Sequence, residues 1–368
     1  MIENRRHSIL EPCSAKCTQF VGSWTRNFAG CLFVEGNPTE RWNLTKCIGK
    51  GGTARVYLGS PACSETAAKC CAETVAVKVV SKQDVSPCDL QSEIAVLAAV
   101  EENGPHENIV RVFEVFEDEA SVYIVMEHLS GGELYDQITE VPSCLNTEES
   151  CGIIAIQILQ ALRFLHEVLH VAHRDVKPEN IMFVRSDSLH VKLIDFGVVA
   201  HIQPTKSLHM STTSEDIMDH FINRTGYPAE ACNFRMTPFY AAPEIVFRRV
   251  VSFFAIDMWS VGIICWLMLT KRSPYRQFCD TEVLLSQIRR GVNFHDSVWN
   301  SIDFQAKNFT ECLLQFDPRA RPSARKSLSH PWIQRCFNHV EVDREMQDAE
   351  NVHIVPDVVF RKLSIGNS

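Results

Sequence analysis

The segment Val171 to Asn180, VAHRDVKPEN, places an aspartate, a lysine and an asparagine in one short polar run between apolar stretches. Ahead of it, the periodicity of Ile153 to Leu169 predicts a helix. Behind it, Ile181 to Val184 and Leu189 to Ile194 read as short strands leading to Asp195-Phe196-Gly197. A polar loop presented by a helix and closed by a hairpin is a rigid mount for reactive groups.

The chemistry of the run is specific. Asp175 supplies a carboxylate that can orient a hydroxyl, Lys177 an ammonium that can neutralise a phosphoryl group, and Asn180 an amide oxygen suited to Mg²⁺; Asp195 adds an anionic metal ligand. Mg²⁺ takes one or two such oxygens and completes its shell with nucleotide phosphates, so two ligands separated by a hairpin suffice.

A chain of 368 residues, 45% hydrophobic and 22% charged, can bury a large core. Its net charge of −9 argues against nucleic acid or an anionic membrane as the main partner. The fifteen cysteines are odd in number and irregularly spaced, and MIENRRHSIL has no apolar signal region, so reduced thiols in a cytoplasmic protein with possible nuclear access are expected. Cys13/Cys17 and Cys70-Cys71 lack the partners a zinc site needs, and Ile2 in place of glycine removes myristoylation. Val250 to Leu269 is apolar enough to suggest a membrane span, but Asp257 lies inside it and basic residues flank it; a core helix is expected, and no membrane anchor.

From Trp42 the pattern turns to strands. Ile48, Gly49, Lys50, Gly51, Gly52, Thr53, Ala54, Arg55 and Val56 sit between two of them, as a turn whose backbone N–H groups can approach phosphates under an apolar lid. Thr74 to Lys78 reads as a buried strand ending in a lysine, which needs an anionic partner; Glu93, on a predicted helix from Asp89 to Val100, is the candidate. Asn108 to Phe116 and Ser121 to Glu127 read as further strands.

In order and spacing these segments resemble the eukaryotic protein kinase domain from Trp42 to Ile333. The resemblance implies an α+β, two-lobed fold: a small antiparallel-sheet lobe with one main helix (42–127) and a larger, mostly helical lobe (128–333), with a long activation segment at 195–244. Residues 1–41 are expected as a flexible extension and 334–368 as an acidic tail. By resemblance, Asp175, Lys177, Lys78 and Glu93 are catalytic, and Asn180 and Asp195 hold two Mg²⁺ ions. The glycine-rich turn, Ala76, Lys78, Met126, Glu127, Leu129, Glu133 and Met182 would surround ATP. Leu97, Val112, His173 and Phe196 fall on the spine joining the lobes, and Glu244 and Arg321 on a buried ion pair.

Lys177 and Thr237, in TPFY, resemble the serine/threonine branch; HENIVRVFEVFED, GGELYDQI, LIDFG and HPWI resemble the calcium/calmodulin-dependent group, including protist and plant calcium-dependent kinases. Glu133 and Glu179 then imply arginine upstream of a Ser or Thr acceptor in protein substrates, and Leu267 implies a single arginine. The activation segment carries a polar insert at 204–227, and Asn233 stands at the usual phosphosite. No twelve-residue calcium loop occurs in the sequence, and Gln334 to Ser368 is acidic where a calmodulin-binding helix is basic. The alternative is a pseudokinase scaffold, which would have no physical need for all of Lys78, Glu93, Asp175, Asn180 and Asp195.

Overall fold

Gly51, Gly52 and Thr53 turn the chain between two long strands, β2 (Trp42–Lys50) and β3 (Ala54–Pro61), which pair antiparallel. They belong to a computed structural model that describes residues 32–35, 38–62, 73–139, 144–145, 147–202, 238–247, 250, 252–275 and 281–338. Asn233, Thr237 and the insert at 204–227 lie outside the described residues.

With β1 (Leu32–Glu35), β4 (Val75–Ser81), β5 (Val112–Glu117) and β6 (Ser121–Glu127), these strands form one sheet in the order β1-β5-β6-β4-β3-β2. All neighbours are antiparallel except β1, which runs parallel to β5. The sheet therefore begins ahead of Trp42, inside the segment expected to be a flexible extension. Glu114 on β5 ties down the same segment: it accepts a bond from Trp42 Nε1 at 2.9 Å and pairs with Arg41 at 2.5 Å.

Side-chain alternation on β4 decides where its lysine goes. Val75 and Val77 join an outer cluster with Trp42, Phe116 and Val125, while Val80 joins the main core with Leu90, Ile94 and Leu97 of α1 (Pro87–Glu102). Lys78 shares the face of Val80, so it is turned toward that helix.

The larger lobe contains α2 (Leu134–Thr139), α3 (Glu148–Glu167), β7 (Val171–Ala172), the hairpin β8 (Ile181–Phe183) and β9 (Val191–Leu193), and β10 (Ala200–His201), which pairs with β7. Then come α4 (Pro243–Val246), α5 (Phe253–Thr270), α6 (Thr281–Arg290), α7 (Phe304–Leu313) and α8 (Ala324–Leu328), and residues 331–338 are also helical. Thr147 caps α3 by accepting the Ser150 N–H at 3.0 Å, and Ser252 caps α5 by accepting that of Ala255.

By length and composition α5 could cross a membrane, yet 83% of its apolar window is buried inside the chain's own fold. Its Asp257 is fully buried and satisfied. It accepts backbone N–H bonds from His173 and Arg174 at 2.9 and 2.7 Å, and His166 Nε2 lies 2.8 Å away. The central helix thus holds the backbone of the polar loop in place.

Candidate active site

Lys78 is the meeting point of three elements. Its Nζ lies 2.5 Å from Glu93 Oε1 on α1 and 3.0 Å from Asp195 Oδ1 beyond β9. Burial opposes its charge, but the fields of Glu93 and then Asp195 outweigh that cost and hold the ammonium above the usual lysine value. Burial likewise pushes Asp195 upward, and Lys78 reverses it, leaving the carboxyl below its ordinary range.

On the facing loop, Lys177 Nζ reaches Asp175 Oδ2 at 2.6 Å. Asn180 Nδ2 donates to the Asp175 carbonyl and to its Oδ2, at 2.8 and 3.0 Å. With both amide hydrogens committed, Asn180 keeps its carbonyl oxygen for another ligand. Arg174 and Asp195 adopt left-handed backbone, φ 68° and 61°, a conformation that non-glycine residues hold only where the surroundings impose it. For Arg174 those surroundings include the Asp257 anchor; Asp195 Oδ1 also takes the Gly197 N–H at 3.4 Å.

The strand registers align the remaining expected residues. Val56 stands opposite Lys78, Ala76 opposite Met126, and Gly49 opposite Val56, with Ile48 and Lys50 at the end of β2 and Arg55 opposite Lys50. After β6, the chain lies on the β8 hairpin through Ser130 N–H to Val184 O and Gly131 N–H to Phe183 O. A Cβ on Gly131 would fall 2.5 Å from Phe183 Cβ and 2.6 Å from the Arg185 backbone, so only glycine permits this approach. It sets Glu133 opposite Met182, with Leu129 buried nearby in sequence.

Glu179 is in the turn immediately after Lys177, and one of its oxygens, Oε2, is buried without a hydrogen-bond partner. Burial raises the Glu179 carboxyl, and the Glu133 carboxyl is raised by burial and then by Asp136 and Glu179. Leu267 is buried in an apolar cluster of the larger lobe. Leu97, Val112 and Phe196 share the main core, and the His173 ring stands 5.0 Å from that of Phe196. Glu244 and Arg321 form a buried two-pronged pair at 2.7 and 2.8 Å.

The sequence carried no signal for two ties that hold this region together. Glu127 accepts Lys192 Nζ at 2.6 Å and the Arg111 N–H at 2.7 Å, pinning the end of β6 to β9. Asn108 Nδ2 donates to Gln157 Oε1 and to the Val191 carbonyl, both at 3.0 Å, tying the segment before β5 to α3 and the hairpin. A cavity of about 340 Å³ lined by His166, Phe254, Met258 and Arg321 contains none of these groups and is lined in part by α5.

The residues present fit Mg-ATP. A Cβ at Gly52 would meet nothing within 4 Å and one at Gly51 only the Ala54 carbonyl at 3.6 Å, so the turn leaves room for phosphates. The Asp195 side chain is 47% exposed, and with the Asn180 oxygen it forms the sparse all-oxygen set that Mg²⁺ takes beside a nucleotide.

A small sheet lobe and a helical lobe, with cationic and anionic groups paired between them, place the molecule among two-lobed phosphotransferases. The chain belongs to the protein kinase domain family, which it matches over residues 42–333. It is 31% identical to a calcium/calmodulin-dependent protein kinase type 1 of Caenorhabditis elegans, over 80% of this chain and 74% of that protein. It is 32% identical to a CDPK-related kinase of Arabidopsis thaliana, over 71% of this chain but only 39% of that protein. Its fold is similar to that of the twitchin kinase region from C. elegans, with TM-score 0.65 and 22% identity over 89% of this chain and 53% of the other. These relationships put the chain in the calcium/calmodulin-dependent group of serine/threonine protein kinases.

Proposed function

We propose that this chain transfers the γ-phosphoryl group of ATP to serine or threonine hydroxyls in proteins that carry arginine upstream of the acceptor. The observation that carries the reading is the pairing of Lys78 with both Glu93 and Asp195, which brings the nucleotide-side groups together with the Asp195 metal ligand. In this reading Asp175 orients the acceptor hydroxyl and takes its proton, while Lys177 and Lys78 stabilise negative charge on the transferring group and on the remaining phosphates. Asn180 and Asp195 would hold Mg²⁺, which when bound offsets charge on the phosphates.

The arginine preference rests on Glu133 and Glu179. Two carboxylates raised by burial, one with an unpartnered oxygen, gain from a guanidinium that can supply paired N–H donors. With Leu267 apolar where related enzymes with a two-arginine preference carry a glutamate, arginine three residues before the acceptor is the main requirement.

The test is transfer from Mg-ATP to serine peptides with and without that arginine, in calcium and in chelator. Arginine-dependent transfer in both conditions supports the reading. ATP binding with no transfer to any peptide overturns it in favour of a scaffold.

A further inference from the structure

The hairpin of the larger lobe has two unlike faces. Ile181 and Phe183 on β8, with Val191 and Leu193 on β9, are buried in the main core, so the residues between them, Met182 and Lys192, turn the other way. Met182 and Lys192 stand directly opposite one another in the register, which puts their side chains side by side on that face. Met182 and Glu133, which is bridged to it, are both expected around ATP; Lys192 is their unassigned neighbour.

Lys192 reaches from this face to the smaller lobe. Its Nζ donates to Glu127 Oε1 at 2.6 Å and approaches the Ile109 carbonyl at 3.5 Å, with the side chain only 12% exposed. The same Glu127 oxygen takes the Arg111 N–H at 2.7 Å, and the Glu127 N–H donates to the Arg111 carbonyl at 3.0 Å, so side chain and backbone are both fixed. Glu127 ends β6 and follows Met126, which stands opposite Ala76. One lysine therefore stands beside Met182 from the larger lobe and holds the residue next to Met126 in the smaller.

We propose that Lys192 is a positioning residue for the nucleotide: held to Glu127 and standing beside Met182, it sets the spacing between Met182 and the Ala76–Met126 pair, and so the slot that takes the base. The inference rests on the ATP reading above. Lys192 acts through Glu127 and Met182 and touches no substrate atom. An enclosed ion pair adds little stability over an apolar pair of similar size, so its return is a fixed geometry, here between two lobes that would otherwise pivot. Without the ammonium, the Glu127 carboxylate is drawn toward water and the end of β6 with it.

The test measures Mg-ADP affinity of the full chain by calorimetry, beside steady-state transfer from ATP to an arginine peptide. Lys192→Met keeps the stem and loses the charge. It should weaken Mg-ADP binding by roughly three- to thirtyfold, the range of residues that act through packed neighbours. KM for ATP should rise in step, with kcat and KM for the peptide changing far less. Lys192→Arg, which keeps a cation for Glu127, should bind nearly as the parent does, and Lys192→Ala more weakly than Lys192→Met. Glu127→Gln keeps an oxygen for both donors without the charge, and it decides the matter if Lys192→Met does not fold; it too should bind Mg-ADP more weakly than the parent. Asn108→Ala removes a different tie, to Gln157 and the Val191 carbonyl, and should lower the melting temperature while sparing Mg-ADP affinity. Parent-like affinity in Lys192→Met and Glu127→Gln, or an equal loss in Asn108→Ala, overturns the inference and, with transfer intact, leaves the proposed function standing. A parent that binds no Mg-ADP and transfers nothing overturns both.

Discussion

Lys78 and Asp195 are 117 positions apart in sequence, yet Nζ and Oδ1 lie 3.0 Å from one another, and the same ammonium reaches Glu93 at 2.5 Å. One cation therefore neutralises two carboxylates from different elements. Glu93 is only 5% exposed, so removing its partner leaves an acid that cannot turn to water.

Lys78→Met is expected to lower phosphoryl transfer by about 10²–10³-fold and folding stability by about 3–5 kcal/mol. Adding Glu93→Gln to that variant should restore part of the stability and none of the transfer. Urea unfolding beside a transfer assay checks both. Equal stability of the single and double variants would show that Glu93 finds another partner.

Gly152 on α3 gives a packing prediction. A Cβ there would fall 2.3 Å from Cys336 Sγ and 3.0 Å from Cys336 Cβ. Gly152→Ala should cost about 1–3 kcal/mol through overpacking. Gly152→Ala/Cys336→Ala should recover much of it, because the obstructing sulfur is gone. A double-mutant cycle by urea denaturation reads the coupling, and additive effects would contradict the contact.

His106 sets a pH dependence of stability. Burial, then Arg163 and Lys192, lower its pKa from 6.5 to about 4. Between these values the unfolded chain takes up a proton that the folded chain refuses, so this group's contribution is complete above 6.5 and is lost as pH falls toward 4. The ring accepts the Asn108 N–H through Nδ1 at 3.0 Å, an acceptor role that asparagine can also fill. His106→Asn should therefore lose less stability than the parent between pH 6.5 and 4 in thermal melts.

Much of the cleft could be read from the sequence because its groups are short-range and their residue types specific. Asp175, Lys177 and Asn180 fall within one turn-sized run, and Lys78 announced itself as a charge in an apolar strand, although β4 does not end there but runs on to Ser81. The period-2 alternation of β4 even fixes which helix that lysine faces. What the sequence hid depends on distant partners. Nothing local couples Glu127 to Lys192 or Asn108 to Gln157: Glu127 reads only as a neighbour of the nucleotide, and the other three as ordinary polar groups. Element ends also moved: the predicted helix at Ile153 starts at Glu148, where Thr147 caps it, and the first strand precedes Trp42. Leu32–Glu35 lacked a signal because a four-residue strand, paired on one side only, carries almost no alternation.

If the two groove glutamates receive the upstream arginine as proposed, substrate affinity should depend on pH. Because burial raises both carboxyls, Glu133 and Glu179 take up protons at a higher pH than free glutamate. KM for a peptide with the upstream arginine should rise on mild acidification, while KM for a peptide lacking it and for ATP stays flat. Glu179→Gln should flatten part of that rise. A parallel rise for both peptides would assign the effect to another group.

Single-turnover transfer by Asp175→Asn, followed beside ATP binding, decides the role of the polar loop. Asparagine keeps an oxygen for Lys177 and Asn180 but no longer takes a proton. The expected result is unchanged ATP affinity with transfer reduced by about 10²–10⁴-fold. Transfer by the variant at the parent rate would contradict the assignment of Asp175 as the group that receives the acceptor's proton.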